Sequence, residues 1–330
     1  MSGASEPAGL DPTKRRLALW ALLLVTVVWG ATFFWMDQAL AAAEGALGRD
    51  VVLSASALFL TVRFLLAAVL LPVLVPAARR PFADGTGAGG ALLRQAGLLG
   101  LLLLAGFLVQ MIALAEITPA VSAFLTSLYV IFTALLSLCV ARHRHMGAAL
   151  LVGVLLATAG AAFISGPPQL TFDLPEWLTV LCAAIFAGTI LVTDHATHRH
   201  RPAHVSLVSF WVVTVGAAAC LAWALGHAAA PPAGEVLALL ADRAFLVPLL
   251  CCSLLATLFA LTLLNQYQRY VAPVRAATLY SLEPVWAGII SVAMGAEQVT
   301  PWLAGGAAAL LLGNLVAELG PRRAGSGPAA

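Results

Sequence analysis

Ten apolar segments, each about as long as a bilayer is thick, constrain the fold of this 330-residue chain more than any motif does. A hydrocarbon core of about 30 Å requires about 20 apolar residues per helix. We therefore predict an all-α integral membrane protein with ten transmembrane helices. Counted from the N-terminus, the segments are 17–37, 56–76, 95–115, 119–141, 147–165, 177–194, 204–226, 244–265, 272–294 and 301–319.

The charge content of the chain agrees with a membrane protein. Charged residues make up 10% of the sequence, whereas an ordinary soluble domain has roughly 25%. So few charges could not cover a soluble surface, which excludes a soluble enzyme and a disordered protein. The net charge of +2 is too small to indicate a polyanionic partner, so we expect no binding to nucleic acid.

The charges of the loops predict the orientation in the membrane. If the N-terminus is cytoplasmic, the inner side carries fourteen basic residues and the outer side carries two, Arg49 and Arg243. Cytoplasmic loops of membrane proteins have an excess of Lys and Arg, so we expect both termini in the cytoplasm. The terminal stretches before Arg15 and after Arg323 are rich in Gly, Pro, Ala and Ser, and we expect them to be disordered.

The two halves of the chain resemble each other. Residues 17–39 align with 174–196 and residues 119–137 with 273–291, and the most informative matches are Trp20/Trp177, Asp37/Asp194, Pro119/Pro273 and Ser127/Ser281. Five segments per half is an odd number, so the second half must cross the membrane inverted, as in secondary transporters. The predicted organisation is a cytoplasmic tail 1–16, a first five-helix repeat 17–165, an outer loop 166–176, a second five-helix repeat 177–319 and a cytoplasmic tail 320–330.

Three stretches carry a family resemblance: WGATFFWMDQAL, RFLLAAVLLP and YSLEPVWAGIISVAMGAEQVTPWLAGGAAALLLGN. They resemble the drug/metabolite transporter (DMT) superfamily, and within it the EamA-type ten-helix transporters, over residues 17–319. Gly295-Ala296-Glu297 is one residue longer than the family's Gly-Glu turn. Val130 stands where the second half has Pro284, so we expect less of a kink in the fourth segment than in the ninth. The resemblance implies export or exchange of small metabolites across the cytoplasmic membrane.

Glu283 is the first candidate for a transport residue. It lies eleven residues into the ninth segment, about 16 Å deep at about 1.5 Å per residue. A charge at that depth costs about 3 kcal/mol and indicates a function by default. Burial favours a protonated carboxyl, so proton coupling is expected, and Pro284 should break the helix beside it. The alternative is a carboxyl that only fixes the position of this helix.

Other side chains could line the same path, because they offer flat faces and polar groups to a small ligand. Tyr129 is the counterpart of Glu283 in the first repeat. For each of these residues alone, packing in the protein core is an equal alternative. The full candidate set for substrate binding is Glu283, Tyr129, Tyr280, Trp286, Trp29 and Gln110.

A second group of residues could form a gate on the outer side. Asp37 and Glu116 end the first and third segments on that side, and Arg63 lies within the second. An ion pair among them could form in one state and break in the other. The alternative, which we favour slightly, is that Arg63 extends to the outer headgroups.

The connection after the sixth segment is rich in histidine, which leaves a metal site open. Such a site would need further ligands on the inner side, where His143 and His145 are available. A basic cytoplasmic connector explains the composition better, and we expect no metal and no cofactor. The side chains in question are Asp194, His195, His198, His200 and His204.

Two stripes of small residues predict close helix packing, within one chain or in a homodimer. Their members recur every four residues in the fifth and tenth segments. They are Gly153, Ala157, Ala161, Gly305, Ala309 and Gly313.

The leading functional hypothesis is a secondary transporter that exports small organic metabolites, such as amino acids or related solutes, by alternating access. The first alternative is a proton-coupled exporter of cationic or amphipathic drugs, with Glu283 as the counter-charge. A membrane-embedded metal-dependent enzyme is a distant alternative, because no nucleophile with its base and no complete metal constellation is found. ATP-driven transport is excluded by the lack of a phosphate-binding loop. One lysine, Lys14, against sixteen arginines is typical of a GC-rich bacterial genome, so we expect the inner membrane of a bacterium.

Overall fold

The computed structural model describes residues 12–48, 51–82, 88–140, 148–164, 172–226, 231–271, 276, 279–280 and 282–319, and these are helical or lie in short connections. The α-helices are α1 Pro12–Leu47, α2 Val52–Leu74, α3 Ala88–Leu114, α4 Pro119–Thr126, α5 Tyr129–Val140, α6 Ala148–Ile164, α7 Leu174–Arg199, α8 Pro202–Leu225, α9 Ala233–Ala238, α10 Arg243–Cys251, α11 Thr262–Tyr267, α12 Glu283–Ala293 and α13 Pro301–Leu319. A π-helix, Cys252–Leu261, continues α10 into α11, and a short 3-10 helix, Gln268–Tyr270, follows α11.

The chain is a multi-pass membrane protein, as the sequence predicts, and helices are the one kind of regular secondary structure among its described residues. Seven stretches of the described residues are long and apolar enough to cross a membrane. Three shorter apolar helices, Leu151–Gly160, Glu283–Ala293 and Pro301–Val316, coincide with the remaining three predicted segments. The number of ten crossings and the cytoplasmic location of both termini stay predictions. Most of the two predicted tails, 1–11 and 320–330, lies outside the described residues.

Helix α1 is longer than the predicted segment 17–37. It begins at Pro12, so Lys14 belongs to a helix and not to a disordered tail. Its C-terminal extension is rich in alanine, the strongest helix former. The helix ends at Gly48, whose φ of 84° is a left-handed conformation that favours glycine. Asp37 therefore lies inside α1 and not at its end, and Asp194 likewise lies inside α7, which continues to Arg199.

The fourth predicted segment is interrupted, although it has no proline where the second half has Pro284. Helix α4 ends at Thr126, a turn follows, and α5 begins at Tyr129. A side chain from α13 stabilises this break, because Asn314 Nδ2 lies 3.2 Å from both the carbonyl oxygen and the hydroxyl of Ser127. An inserted side chain that bonds to a freed carbonyl is a recognised cause of helix interruption. The expectation that the fourth segment is less kinked rested on Val130 and did not include the contact from Asn314.

The ninth predicted segment has an equivalent break. Helix α12 begins at Glu283, has Pro284 in its first turn and follows a turn at Leu282. A proline is well tolerated in the first helical turn because its missing N–H would have no partner there. Tyr129 and Glu283 thus each begin a helix directly after an interruption, at positions that the internal alignment pairs.

Helices α6 and α13 form a tightly packed pair. A Cβ atom added to Gly160 would lie 2.5 Å from the backbone nitrogen of Leu310, and one added to Gly313 would lie 2.5 Å from that of Ala157. Small residues at such contacts let helix backbones approach closely. One member of the stripe of small residues predicted on α13 does not take part in this contact, because Gly305 faces open space.

Two large apolar clusters form the interior. The first cluster joins α2, α3, α8 and α10 to the C-terminal half of α1. The second cluster joins α4, α5, α11 and the middle of α7 to the N-terminal half of α1. Trp29 of α1 and Phe186 of α7 pack against both clusters. The boundary between the clusters is therefore bridged by large aromatic side chains.

Candidate functional site

A cavity of about 60 Å³ lies at the boundary between the two apolar clusters. The residues that line it include Trp29, Arg63 and Phe186, which lie near the middle of α1, α2 and α7 respectively. The middle of a membrane-spanning helix lies near the centre of the bilayer, so the cavity lies there as well. Helices α6 and α13 contribute none of the described lining residues.

The cavity brings together most of the side chains that the sequence suggested for a transport path. Glu283, Tyr129, Tyr280, Trp29 and Gln110 all line it. Trp286 does not line it. Instead it packs against α1, where a Cβ atom on Gly30 would lie 2.5 Å from the Cβ atom of Trp286.

Glu283 and Tyr129 form one side of the cavity. Glu283 is 8% exposed and Tyr129 is 4% exposed, and the carboxyl and the phenol are near enough to interact electrostatically. Among the described residues, the Tyr129 hydroxyl has no hydrogen bond of normal geometry, and the Glu283 carboxyl is its electrostatic partner. A solute in the cavity would therefore lie beside both groups.

Trp29 and Tyr280 are held by hydrogen bonds from other elements. Trp29 Nε1 donates to the carbonyl oxygen of Ala256 in the π-helix at 3.2 Å. The Tyr280 hydroxyl donates to Gln268 Oε1 at 3.1 Å, and Gln268 Nε2 donates to the carbonyl oxygen of Ile190 at 2.8 Å. The centroids of the two aromatic rings are 5.9 Å apart. These contacts give the cavity a wall with fixed aromatic faces.

Several polar lining residues were not found from the sequence. Asn265 and Gln268 lie three residues apart at the end of the eighth predicted segment, and both face the cavity. Asn265 Nδ2 donates to Ser206 Oγ at 2.8 Å, which links α11 to α8. The signal that could have identified them is three amides within four residues, Asn265, Gln266 and Gln268, at the end of an apolar run, where unpaired polar groups are costly.

Arg63 is fully buried and lines the same cavity. Its Nε donates to Thr257 Oγ1 at 2.6 Å, and its guanidinium carbon lies 4.5 Å from the ring centroid of Phe107. Among the described residues, neither Asp37 nor Glu116 is a contact of the guanidinium. Arg63 thus faces the interior of the protein and does not extend to the headgroups, because its partners lie in the π-helix and in α3.

The histidine-rich connection forms no metal site in the part of the chain that the structure describes. No three His, Cys, Asp or Glu side chains of the described residues lie close enough to share an ion. His198 Nδ1 lies 2.7 Å from the carbonyl oxygen of Asp194 in the same helix. Burial, with a contribution from Arg199, lowers the pKa of His200 below its ordinary value. His143 and His145 lie outside the described residues.

Comparisons with known proteins agree with the helical fold. Residues 174–318 match the EamA-like transporter family, which is the family that the sequence motifs resemble. An "uncharacterized transporter" from Archaeoglobus fulgidus is 28% identical over 324 residues, which cover 97% of this chain and 91% of that protein. A solved crystal structure covers 92% of this chain and 97% of its own, with a TM-score of 0.59 and 17% identity, which supports the fold alone.

Proposed function

We propose that this protein, whose residues 174–318 match the EamA-like transporter family, is a secondary carrier that moves small organic solutes past Glu283. The single observation that carries the proposal is the central cavity, in which a carboxyl, aromatic faces and amides converge. Convergence of a few polar groups in a mostly apolar pocket is typical of a small-molecule site.

Alternating access is the proposed mechanism. The cavity lies between two apolar clusters, so a movement of one cluster relative to the other would open it to one side or the other. The interruptions before Tyr129 and Glu283 supply flexible points in both predicted repeats. Inverted repeats that pivot around a site at the midplane are the common design of secondary transporters.

Amino acids or related metabolites are the proposed solutes, and export from a bacterial cytoplasm is the proposed direction. A cavity of about 60 Å³ suits a small solute. Gln110 and Asn265 offer hydrogen bonds to its polar groups, while Trp29 and Tyr280 offer apolar faces. Glu283 is the proposed site of proton coupling, because a carboxyl that faces a cavity can exchange its proton when the cavity opens to water.

The outer gate is a further part of the proposal. Arg63 would have to release Thr257 in order to pair with Asp37 or Glu116, so the pair would belong to a different state of the cycle. Exchange of ion-pair partners between two states is a known switching device.

The first test compares the extracellular metabolites of cells that express the wild type, Glu283→Gln or Glu297→Gln at equal membrane levels. Glu297 is the matched control, because the same chemical change is made in the connection before α13, away from the cavity. We expect a few related solutes to accumulate with the wild type and with Glu297→Gln, and at least about tenfold less with Glu283→Gln, since a buried functional charge is worth more than about 1.4 kcal/mol.

The other outcomes of this test are equally informative. Equal accumulation with Glu283→Gln would leave the carrier in place and make Glu283 a structural residue. No difference between expressing cells and empty cells would contradict metabolite export.

The second candidate function is proton-coupled export of cationic or amphipathic drugs. The observation in its favour is the position of Glu283 near the aromatic rings of Trp29 and Tyr280, since carboxylates and aromatic faces both attract cations. Protection of growing cells against cationic dyes, lost in Glu283→Gln, would favour this candidate over metabolite export.

A further inference from the structure

Arg63 is a buried cation that has no acidic partner in the part of the chain that the structure describes. It is 0% exposed, and its polar contacts there are the hydroxyl of Thr257 and, at 3.6 Å, the sulfur of Met36. The rings of Phe107 and Phe64 lie 4.5 Å and 5.6 Å from its guanidinium carbon. Aromatic faces and a hydroxyl stabilise a cation, but none of them carries the full negative charge that would neutralise it.

A buried charge normally has a counter-charge, because removing an ion from water is far more costly than removing a neutral polar group. Glu283 lines the same cavity and has the opposite sign, yet among the described residues the two side chains do not form an ion pair. The contacts of Arg63 lie on α1, α3 and the π-helix, whereas the interaction partner of Glu283 is Tyr129 of α5. The cavity therefore presents a guanidinium and a carboxyl on different walls.

We infer that Arg63 binds a carboxylate of the transported solute while Glu283 receives its amine, so that the carrier selects amphoteric solutes held in one fixed orientation. This inference rests on the proposed function and specifies the solute of the same site. The guanidinium has five N–H donors, and the described contacts use its Nε and one terminal nitrogen. A planar carboxylate matches the geometry of the donors that remain.

The first part of the test asks which charged group of the solute is required. The purified full-length chain is reconstituted in liposomes, and uptake is measured for L-alanine, L-threonine, L-leucine and L-phenylalanine. Each amino acid is compared with its amide, which lacks the carboxylate, and with its deaminated acid, which lacks the amine. We expect the wild type to transport at least one amino acid and to transport both of its counterparts at least about tenfold more slowly, which is typical of losing a buried charge contact.

The second part of the test asks whether Arg63 is the group that recognises the carboxylate. The readout is the ratio of amino-acid uptake to amide uptake, which does not depend on the amount of folded protein. We expect Arg63→Gln to lower this ratio at least about tenfold and Arg63→Lys to lower it less, because lysine keeps the charge but loses the planar arrangement of donors. Arg94→Gln is the matched control, since Arg94 is exposed on α3 and does not line the cavity.

A purely structural role of Arg63 makes a different prediction. Thr257→Val removes the hydroxyl that holds the guanidinium but leaves the cation in place, so it should slow all transport without a large change of the ratio. If Arg63→Gln behaves like Thr257→Val, Arg63 only connects α2 to the π-helix and the inference is overturned.

Two further outcomes separate this inference from the proposed function. If the wild type transports amides as fast as amino acids, or if cells export solutes without a carboxylate, the amphoteric site is overturned and the carrier remains. If neither cells nor liposomes transport any solute of either kind, the proposed function fails as well.

Discussion

At the scale of single residues, the two tyrosines of the cavity have different roles although both are buried. The Tyr280 hydroxyl donates to Gln268, which in turn donates to the backbone of α7, so Tyr280 belongs to a chain of satisfied polar groups. The Tyr129 hydroxyl has no hydrogen bond of normal geometry among the described residues, and its electrostatic partner is the Glu283 carboxyl. One phenol is fixed in the wall by a well-formed hydrogen bond, and the other is held only by the carboxyl proposed for transport.

This difference predicts opposite effects of the same mutation at the two sites. Tyr280→Phe should lower the stability by about 1–3 kcal/mol, because it leaves Gln268 Oε1 buried without its donor. Tyr129→Phe removes a buried hydroxyl that has no well-formed hydrogen bond, so it should leave the stability unchanged or raise it, and it should reduce uptake. Thermal unfolding in detergent, measured beside uptake in liposomes, checks both variants. Equal losses of stability would show that Tyr129 has a hidden structural partner.

At the scale of helices, the structure contains one pair that serves as support and lies apart from the cavity. Helices α6 and α13 meet at Gly160 and Gly313 with almost no space for a side chain, and none of their described residues lines the cavity. Such a contact depends on glycine for packing, and the conformation of the backbone is ordinary. We expect this pair to contribute to stability and not to solute selection.

Substitutions on α13 test that separation. Gly313→Leu should lower the thermal unfolding temperature and the membrane level, because overpacking a tight contact costs about 1–3 kcal/mol or more. Gly305→Leu is the control on the same helix, where the added side chain would meet open space. A similar loss for Gly305→Leu would point to a second copy of the chain on that face, as in the homodimer that the sequence leaves open.

The helices also mark the limit of what the sequence could predict. Polar and aromatic residues in apolar runs identified Glu283, Tyr129 and Gln110, since such residues are rare in membrane helices. The break at Ser127 could not be read locally, because its partner Asn314 is 187 residues away. The burial of Arg63 likewise depends on Thr257, 194 residues away. The π-helix itself contains no proline or glycine, and the nearest such residue is Pro248 in α10, four residues before it begins.

At the scale of the whole molecule, the orientation in the membrane is the main prediction of the sequence. A split of fourteen basic residues on one side to two on the other is a strong bias. With the N-terminus in the cytoplasm, this split is obtained when all ten predicted segments cross, including the short helices α6, α12 and α13.

Reporter fusions test this orientation. A fluorescent protein that folds only in the cytoplasm should be bright when fused after Arg201 or at the C-terminus, and alkaline phosphatase should be inactive there. The same two reporters fused after Gly226, in the connection between α8 and α9, should give the reverse result. Active phosphatase at the C-terminus would mean an odd number of crossings and would remove the inverted repeat.

The boundary between the two apolar clusters has a consequence for how the carrier responds to temperature. To admit water on either side, side chains such as Leu103 and Phe107 must leave an apolar environment. Exposure of apolar surface raises the heat capacity, so the open states have a higher heat capacity than the closed one. In the proposed cycle, the closed state is therefore most favoured at an intermediate temperature and less favoured both in the cold and in the heat. The temperature at which the cycle runs best would then depend on how much apolar surface around the cavity has to be exposed.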